Sequence, residues 1–188
     1  MNSNGVARGE ARARFRSTPE AEARLLLLID GFSHKRGGVR RSLEGRVKLA
    51  KLDFLLRYPH HLARILKDHG VQTENIGSLT ADVAPLDSRM MRYRYGPWDP
   101  SYYAILGALI GRGLVEAFQL PGSRGLGYST TAVGTELAIR LRQDESFETI
   151  DQRVRVLRKY LDKSGSTLKG YLYTLPEITN STWYEEIS

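Results

Sequence analysis

Four histidines are the side chains of this 188-residue chain best suited to binding a metal or transferring a proton. The chain has no cysteine, which excludes disulfides, thiolate zinc sites and cysteine nucleophiles. No His-Glu-x-x-His motif is present, so no helix carries the usual histidine spacing of a catalytic zinc site. His60 and His61 follow Pro59 at a predicted helix start, and we expect them to be capping or surface groups. The sequence therefore predicts no metal site and no cofactor.

A glycine-rich segment at Gly122–Gly127 superficially resembles a phosphate-binding loop. It lacks the Lys-Ser or Lys-Thr ending of such loops, and it joins two predicted strands instead of a strand and a helix. We therefore interpret it as the turn of a β-hairpin. The chain has no Gly-x-Ser-x-Gly nucleophile elbow and no pair of acidic residues at a spacing that requires acid and base roles. The sequence predicts a protein that is not an enzyme, with no catalytic residue.

The net charge of +7 is concentrated in the first third of the chain. Residues 1–70 carry 15 Lys and Arg against 7 Asp and Glu, whereas residues 71–188 carry 13 against 14. Such asymmetry favours contact with double-stranded DNA, independent of its sequence, or with an acidic protein surface. The alternative is a solvated and partly disordered basic arm. The candidate DNA-binding residues are Arg12, Arg14, Arg16, Lys35, Arg36, Arg40, Arg41, Arg46, Lys48 and, at the hairpin tip, Arg124.

Composition and periodicity divide the chain into five predicted regions. The longest aliphatic run, Leu25–Ile29, is far too short to cross a bilayer, and the N-terminus lacks the pattern of a secretory signal. We therefore expect a cytoplasmic protein without membrane contact. The predicted regions are a flexible basic arm (1–16), an N-terminal helical region (17–87), a winged-helix unit (88–145), C-terminal helices (146–175) and a tail (176–188).

The winged-helix unit is predicted from the order of its elements. From Ser88 to Tyr95, Met91 and the tyrosines alternate with arginine, which predicts a short strand or an extended approach to the next segment. Residues 94–100 form a rigid turn in which Asp99 caps the next helix. That helix runs from Pro100 to about Arg112 and is followed by two strands around the glycine-rich turn, then by a helix from about residue 132 to 142. The predicted fold is mainly α with a small β wing: a winged helix-turn-helix with additional N- and C-terminal helices.

The segment from Tyr93 to Leu141 resembles winged-helix proteins in two motifs. The first is a Gly-Leu-Val strand after a helix, which is Gly113-Leu114-Val115 in this chain. The second follows the wing and has the pattern Tyr, Ser or Leu, Thr, two residues, Gly; the corresponding run in this chain, from Tyr128 to Gly134, has three residues between Thr130 and the glycine. The resemblance covers about a quarter of the chain. It is fairly specific for the winged-helix fold but says little about function.

A third motif, Arg94-Tyr95-Gly96-Pro97-Trp98, resembles the turn before this helix in the small middle components of three-component ABC ATPase systems, including the Lamassu type. Related turns occur in the Panacea antitoxin domain. The resemblance implies an accessory scaffold subunit that sits with an SMC-like or Rad50-like ATPase and a nuclease-like effector in antiphage or anti-plasmid defence. No catalytic residue is implied, because the middle component is not the enzyme of such a set.

The helix at 100–112 occupies the place of a recognition helix but lacks the residues that read bases. A DNA reader exposes Arg, Asn or Gln there, whereas this helix offers only Ser101, Tyr102, Tyr103 and Arg112. We expect an aromatic surface for protein contact; the alternative is that these aromatics complete the core. An autonomous transcription regulator that binds an operator as a dimer remains the second interpretation. The candidate partner-binding residues are Tyr95, Trp98, Tyr102, Tyr103, Trp183 and Tyr184.

Overall fold

The computed structural model describes residues 16–34, 41–72 and 90–187, which form helices and short antiparallel strands. The prediction of a mainly α protein with a small β component is confirmed. In chain order the elements are α1 (Pro19–Ser33), β1 (Leu43–Glu44), α2 (Gly45–Arg57), α3 (Pro59–Asp68), β2 (Met90–Tyr93), β3 (Gly96–Trp98), α4 (Tyr102–Gly111), β4 (Val115–Gln119), β5 (Leu126–Thr130), α5 (Ala132–Arg142), α6 (Glu148–Tyr160), α7 (Gly165–Leu172), α8 (Pro176–Thr179) and β6 (Glu186–Ile187).

Helix α1 lies at the centre of the core. Thr18 accepts a hydrogen bond from the backbone N–H of Ala21, and Pro19 supplies the fixed φ that suits a first helical position. All residues of Leu25–Ile29 are buried, so the helix is covered on every side in its second half. It contacts α2, α4, α5, α6 and β5. One apolar cluster therefore joins the helices from both halves of the chain.

Two three-stranded antiparallel sheets flank these helices. The first has the strand order β1-β5-β4, with Leu43 opposite Tyr128 and Val115 opposite Thr130. Residues on both sides of position 87 thus share one sheet. The second has the order β3-β2-β6 and brings the C-terminal segment against the hairpin, with Met90 opposite Ile187.

The C-terminal segment, predicted as a tail, packs against the fold as α8 and β6. Ile187 is buried, and its carbonyl accepts a hydrogen bond of 3.0 Å from the Tyr58 hydroxyl. The same hydroxyl accepts a bond of 3.2 Å from the backbone N–H of Met90. Tyr58 therefore links the connection between α2 and α3 to strands β2 and β6.

A network of buried charges joins α1, α2 and the start of α4. Asp53 is fully buried and accepts hydrogen bonds of 2.9 Å from Arg24 and from Arg57 and of 2.8 Å from the Tyr102 hydroxyl. Arg57 also donates to Asp99 at 2.7 Å. Burial alone would raise the pKa of Asp53, but the two guanidinium groups outweigh it and hold this pKa below its ordinary value.

A second network fastens α5 and α6 to the central helix. Asp30 accepts hydrogen bonds from the hydroxyls of Thr130 and Thr135 at 2.9 and 3.0 Å. Arg142 donates to Asp30 and to Asp151, both at 2.8 Å. Asp30 on α1 and Asp151 on α6 therefore share the guanidinium of Arg142, which provides these buried carboxylates with hydrogen-bond donors.

The predictions for Tyr102 and His61 were wrong. Tyr102 is fully buried because its hydroxyl is held by Asp53, so it belongs to the core and is no partner contact. His61 is also fully buried and stacks on Phe54 at 5.2 Å between ring centroids, whereas His60 is exposed. Both errors have the same cause: at the start of a helix, the sequence alone does not distinguish an aromatic ring in the core from one at the surface.

The two winged-helix-like motifs meet at the start of α5. Thr131 donates to the carbonyl of Gly113 at 2.6 Å and accepts from the N–H of Gly134 at 3.0 Å. A Cβ added at Gly134 would lie 1.9 Å from the carbonyl oxygen of Leu114. Only glycine permits this close approach of α5 to the strand.

We expect Asp53→Ala to lower the free energy of unfolding by about 3–5 kcal/mol, because the buried guanidinium groups of Arg24 and Arg57 would lose the carboxylate that they share, although Arg57 keeps its bond to Asp99. Urea unfolding followed by circular dichroism measures the change. Asp68→Ala, at an exposed position on α3, is the control and should stay within about 0.5 kcal/mol of wild type. A loss below about 1 kcal/mol for Asp53→Ala would contradict the network's role.

We expect Gly134→Ala to destabilise the chain by about 1–3 kcal/mol, because the methyl group would meet the Leu114 carbonyl. Gly170→Ala is the control: this glycine is exposed within α7, and a Cβ there meets nothing within 4 Å. The control should gain about 0.5–1 kcal/mol. Thermal unfolding measures both, and a Gly134→Ala variant as stable as wild type would refute the close contact.

Candidate partner-binding site

A groove of about 520 Å³ lies between the β2–β3 hairpin, the start of α4, the start of α2 and the turn before β6. We call it the aromatic groove. Arg46 is the one charged residue of its lining, which also includes Val47, Met91, Pro97 and Pro100. The aromatic side chains that line it are Tyr93, Tyr95, Trp98, Tyr103 and Tyr184.

The hairpin places alternate residues of β2 on opposite faces. Met91 and Tyr93 line the groove, whereas Met90 and Arg92 are buried on the other side, as the two-residue period of a strand requires. Tyr93 pairs with Gly96 across the hairpin, and Gly96 has a φ of +117°, which favours glycine. The rigid turn predicted for residues 94–100 is therefore a two-residue turn at 94–95 followed by strand β3.

The start of α4 is fixed by Asp99, although not as its N-cap. Ser101 occupies the cap position, and its N–H and hydroxyl donate to one oxygen of Asp99 at 2.8 and 2.6 Å. The other oxygen of Asp99 accepts from Arg57. The buried charge network thus anchors Asp99 and Ser101, and with them the start of α4, where Tyr103 lines the groove.

The rings of the groove follow one another in a row. The centroid distances are 5.9 Å from Tyr103 to Trp98, 6.1 Å from Trp98 to Tyr93 and 6.0 Å from Tyr93 to Tyr184. The guanidinium of Arg46 lies 4.7 Å from the centroid of the Tyr103 ring, a cation–π distance. The row therefore offers successive aromatic surfaces with a cation at one end.

Tyr184 closes the row from a strained backbone position. Its φ is +69°, in the left-handed region, which costs residues other than glycine roughly 1–2 kcal/mol of conformational free energy. Its N–H donates to the carbonyl of Arg92 at 2.7 Å, and the N–H of Arg92 donates to the carbonyl of Glu185 at 2.7 Å. These two bonds hold the strained turn, in which Tyr184 is 63% exposed. Such strain is found more often at functional sites than elsewhere.

The outer face of α4 continues the apolar surface of the groove. Apart from the two tyrosine hydroxyls, α4 has no polar side chain. Tyr103 and Ile110 are 61% and 40% exposed, and Gly107 and Gly111 are exposed with no neighbour within 4 Å of an added Cβ. A helix that is apolar on all sides is normally covered on all sides. The face offers no side chain of the kind that reads base edges, apart from the Tyr103 hydroxyl.

Buried cations lie behind the hairpin, on the side opposite the groove. Lys51 donates to the Gly165 carbonyl at 2.8 Å, and Arg92 donates to the Tyr93 carbonyl and to the Tyr173 hydroxyl. Within the described ranges, neither forms a salt bridge with a carboxylate. Burial lowers the pKa of Lys51, and the nearby Lys169 lowers it further. These charges place positive potential behind Gly96, whose added Cβ would lie 3.9 Å from the Lys51 side chain.

Four of the six predicted partner-binding residues converge at the groove, namely Tyr95, Trp98, Tyr103 and Tyr184. Trp183 is 61% exposed but does not line it. Sequence reasoning missed Tyr93 as a site residue, although its alternation with arginine was the signal that predicted a strand with two faces.

The predicted DNA-binding residues that the structure describes lie in different local environments. Lys48 is buried and lies 3.5 Å from Asp162, so its assignment was wrong. Arg41 donates to the same carboxylate at 2.7 Å, and Arg158 is a third cation on it. Arg46 stacks on Tyr103 in the groove, while Arg16 and Arg124 are exposed. The remaining candidates lie outside the described residues: Arg12, Arg14, Lys35, Arg36 and Arg40.

The described part of the chain contains no cluster of three or more histidine, aspartate or glutamate residues placed to hold a metal ion. It also contains no helix with the length and hydrophobicity that crossing a membrane requires. Comparison of the chain with family models, with curated proteins and with solved structures gave no match. The groove, the α4 face and the motifs around them are therefore the features that bear on function.

We expect Asp162→Asn to lower stability most at neutral pH. Burial alone would raise the pKa of Asp162, but Arg158, Lys48 and Arg41 hold it below its ordinary value. A carboxylate with a lowered pKa stabilises the fold above the pKa of the unfolded chain, and this contribution disappears as the pH falls through the folded-state pKa. The difference between wild type and variant in urea unfolding should therefore shrink below about pH 4. A difference independent of pH would contradict this assignment.

Proposed function

We propose that the chain is a non-catalytic scaffold subunit that docks onto a protein partner through the aromatic groove and the outer face of α4. The observation that carries this proposal is the exposed apolar face of α4, which continues into a row of aromatic rings. Interface centres are enriched in tyrosine, tryptophan and arginine, and the groove contains all three. A nucleic-acid surface would instead need cations and hydrogen-bonding side chains along the helix.

We further propose that the fold is a winged helix with an enlarged connection before its recognition helix. Helix α1, strand β1 and helix α2 precede this connection, and α4, β4 and β5 follow it. The sheet order β1-β5-β4 brings the wing strands against β1. The connection contains α3 and the β2–β3 hairpin, so the groove lies where the added elements meet α4.

The partner class comes from the resemblance of the Arg94–Trp98 turn to middle components of three-component ABC ATPase systems. We propose that the partners are an SMC-like or Rad50-like ATPase and a nuclease-like effector, and that the set acts in antiphage or anti-plasmid defence. The position of this turn supports the proposal, because Tyr95, Pro97 and Trp98 all line the groove. Nonspecific contact with double-stranded DNA is a secondary role, for which the exposed Arg16 and Arg124 are candidates.

The test is co-expression of the chain with the products of its neighbouring genes, followed by purification through a tag on the chain. We expect a large ATPase to co-purify with wild type. Gly107→Leu should fold, because leucine favours a helix more than glycine does and the site has open space. It should nevertheless reduce the recovered partner at least about tenfold, which corresponds to 1.4 kcal/mol of binding free energy.

Gly170→Leu is the matched control, because it makes the same change at an exposed helical glycine with no neighbour within 4 Å. It should leave recovery of the partner unchanged. A wild-type chain that stays monomeric beside its gene neighbours would contradict the scaffold proposal. Equal recovery with Gly107→Leu and wild type would show that the α4 face is not the docking surface.

A further inference from the structure

The rings of the aromatic groove form a surface as long as a short extended peptide. Successive rings from Tyr103 through Trp98 and Tyr93 to Tyr184 lie 5.9 to 6.1 Å apart. A polyproline II helix rises 3.1 Å per residue, so about six residues are as long as these three distances together. Neighbouring rings are in contact at such centroid distances, so an occupant in this conformation lies across their exposed surfaces.

The edge of the hairpin argues against binding by strand addition. An added strand needs free N–H and C=O groups along the edge. The edge strand β3 contains Pro97, which has no N–H, and Pro100 follows closely. The groove must then recognise its occupant through side chains, as aromatic grooves do with proline-rich segments, whose conformation is already extended.

The charges around the groove favour an acidic occupant. Arg46 is the only charged residue of the lining, and Lys51 and Arg92 lie behind the hairpin without salt bridges to carboxylates of the described chain. A single-stranded nucleic acid would need cations along the whole row of rings. The end of the row near Tyr184 instead precedes Glu185 and Glu186 in the chain. The charge pattern thus favours a peptide with its acidic residues at the Arg46 end.

We propose that the aromatic groove binds an extended, proline-containing segment of a protein partner, with an acidic residue of that segment paired to Arg46. This inference rests on the proposed docking function and specifies the chemistry of one part of the interface. The prolines pack on the exposed surfaces of the rings, and the tyrosine hydroxyls and the indole N–H donate to the carbonyls that a polyproline II helix leaves free.

Fluorescence of Trp98 provides a direct test on the full chain. The chain has two tryptophans, so Trp183→Phe leaves Trp98 as the only one. The probes are a blocked hexaproline peptide ending in Glu-Glu, the same peptide ending in Lys-Lys, a Gly-Ser peptide ending in Glu-Glu, and a twelve-residue oligothymidine. We expect saturable binding of the acidic hexaproline peptide, at least about tenfold tighter than that of the other three probes.

Arg46→Glu should reverse the charge preference, so that the Lys-Lys peptide binds more tightly than the Glu-Glu peptide. Arg124→Glu is the matched control, because it makes the same charge change at an exposed position outside the groove, and it should leave the preference unchanged. Tyr103→Ala removes an exposed ring and should abolish binding of both proline peptides while the thermal unfolding midpoint stays near wild type.

Absence of saturable binding by the acidic hexaproline peptide, or tighter binding of the oligothymidine, would overturn the inference. If the chain still co-purifies with its gene neighbours in that case, the scaffold proposal stands and only the stated occupant is wrong. If the peptide binds but no neighbour co-purifies, the occupant chemistry stands and the proposed partner is wrong.

Discussion

The carboxylate of Asp53 lies in the interior of the protein between the guanidinium groups of Arg24 and Arg57 and beside the hydroxyl of Tyr102. Charges removed from water are tolerated only where the partners and the remaining hydrogen bonds are well placed. The four groups come from α1, α2 and α4, and Arg57 also reaches Asp99 before α4. Any shift of one helix against another would leave a buried charge unpaired, so this network fixes the relative positions of the three helices.

The groove depends on the same constraint. The hydroxyl of Tyr102 points inward to Asp53, which sets the rotation of α4 about its axis. The next residue, Tyr103, lies about 100° further around the helix and therefore points outward into the groove. Trp98 packs edge-on against the Tyr102 ring, with 5.3 Å between the centroids. The exposed row of rings is thus held in place from the core side by a charge network that contributes no atom to its surface.

Local patterns predicted most helices and strands but not the contacts between them. The leucines of α2 have the spacing of one buried helix face, and threonine or proline stands at the starts of α1 and α5, where these residue types are favoured. The same periodicity treats Lys51 and Asp53 as surface residues, because their partners are distant in sequence. Strand β1 is only two residues long and pairs with β5 across most of the chain, so no local pattern could predict it. Adjacent tyrosines at 102 and 103 were likewise indistinguishable, and only the buried carboxylate separates core from groove.

Glycines at two places on the fold differ in the reason for their presence. Gly134 is required within the chain itself, because a side chain there would meet the Leu114 carbonyl. At Gly107, no described residue lies close enough to exclude a side chain. A glycine in the interior of a helix lowers the stability of the fold by about 0.5–1 kcal/mol relative to alanine. A surface that keeps an exposed glycine in an otherwise apolar helix allows another backbone to approach closely. In the proposed complex, the close approach of a partner backbone to the α4 face would offset this cost to the isolated chain.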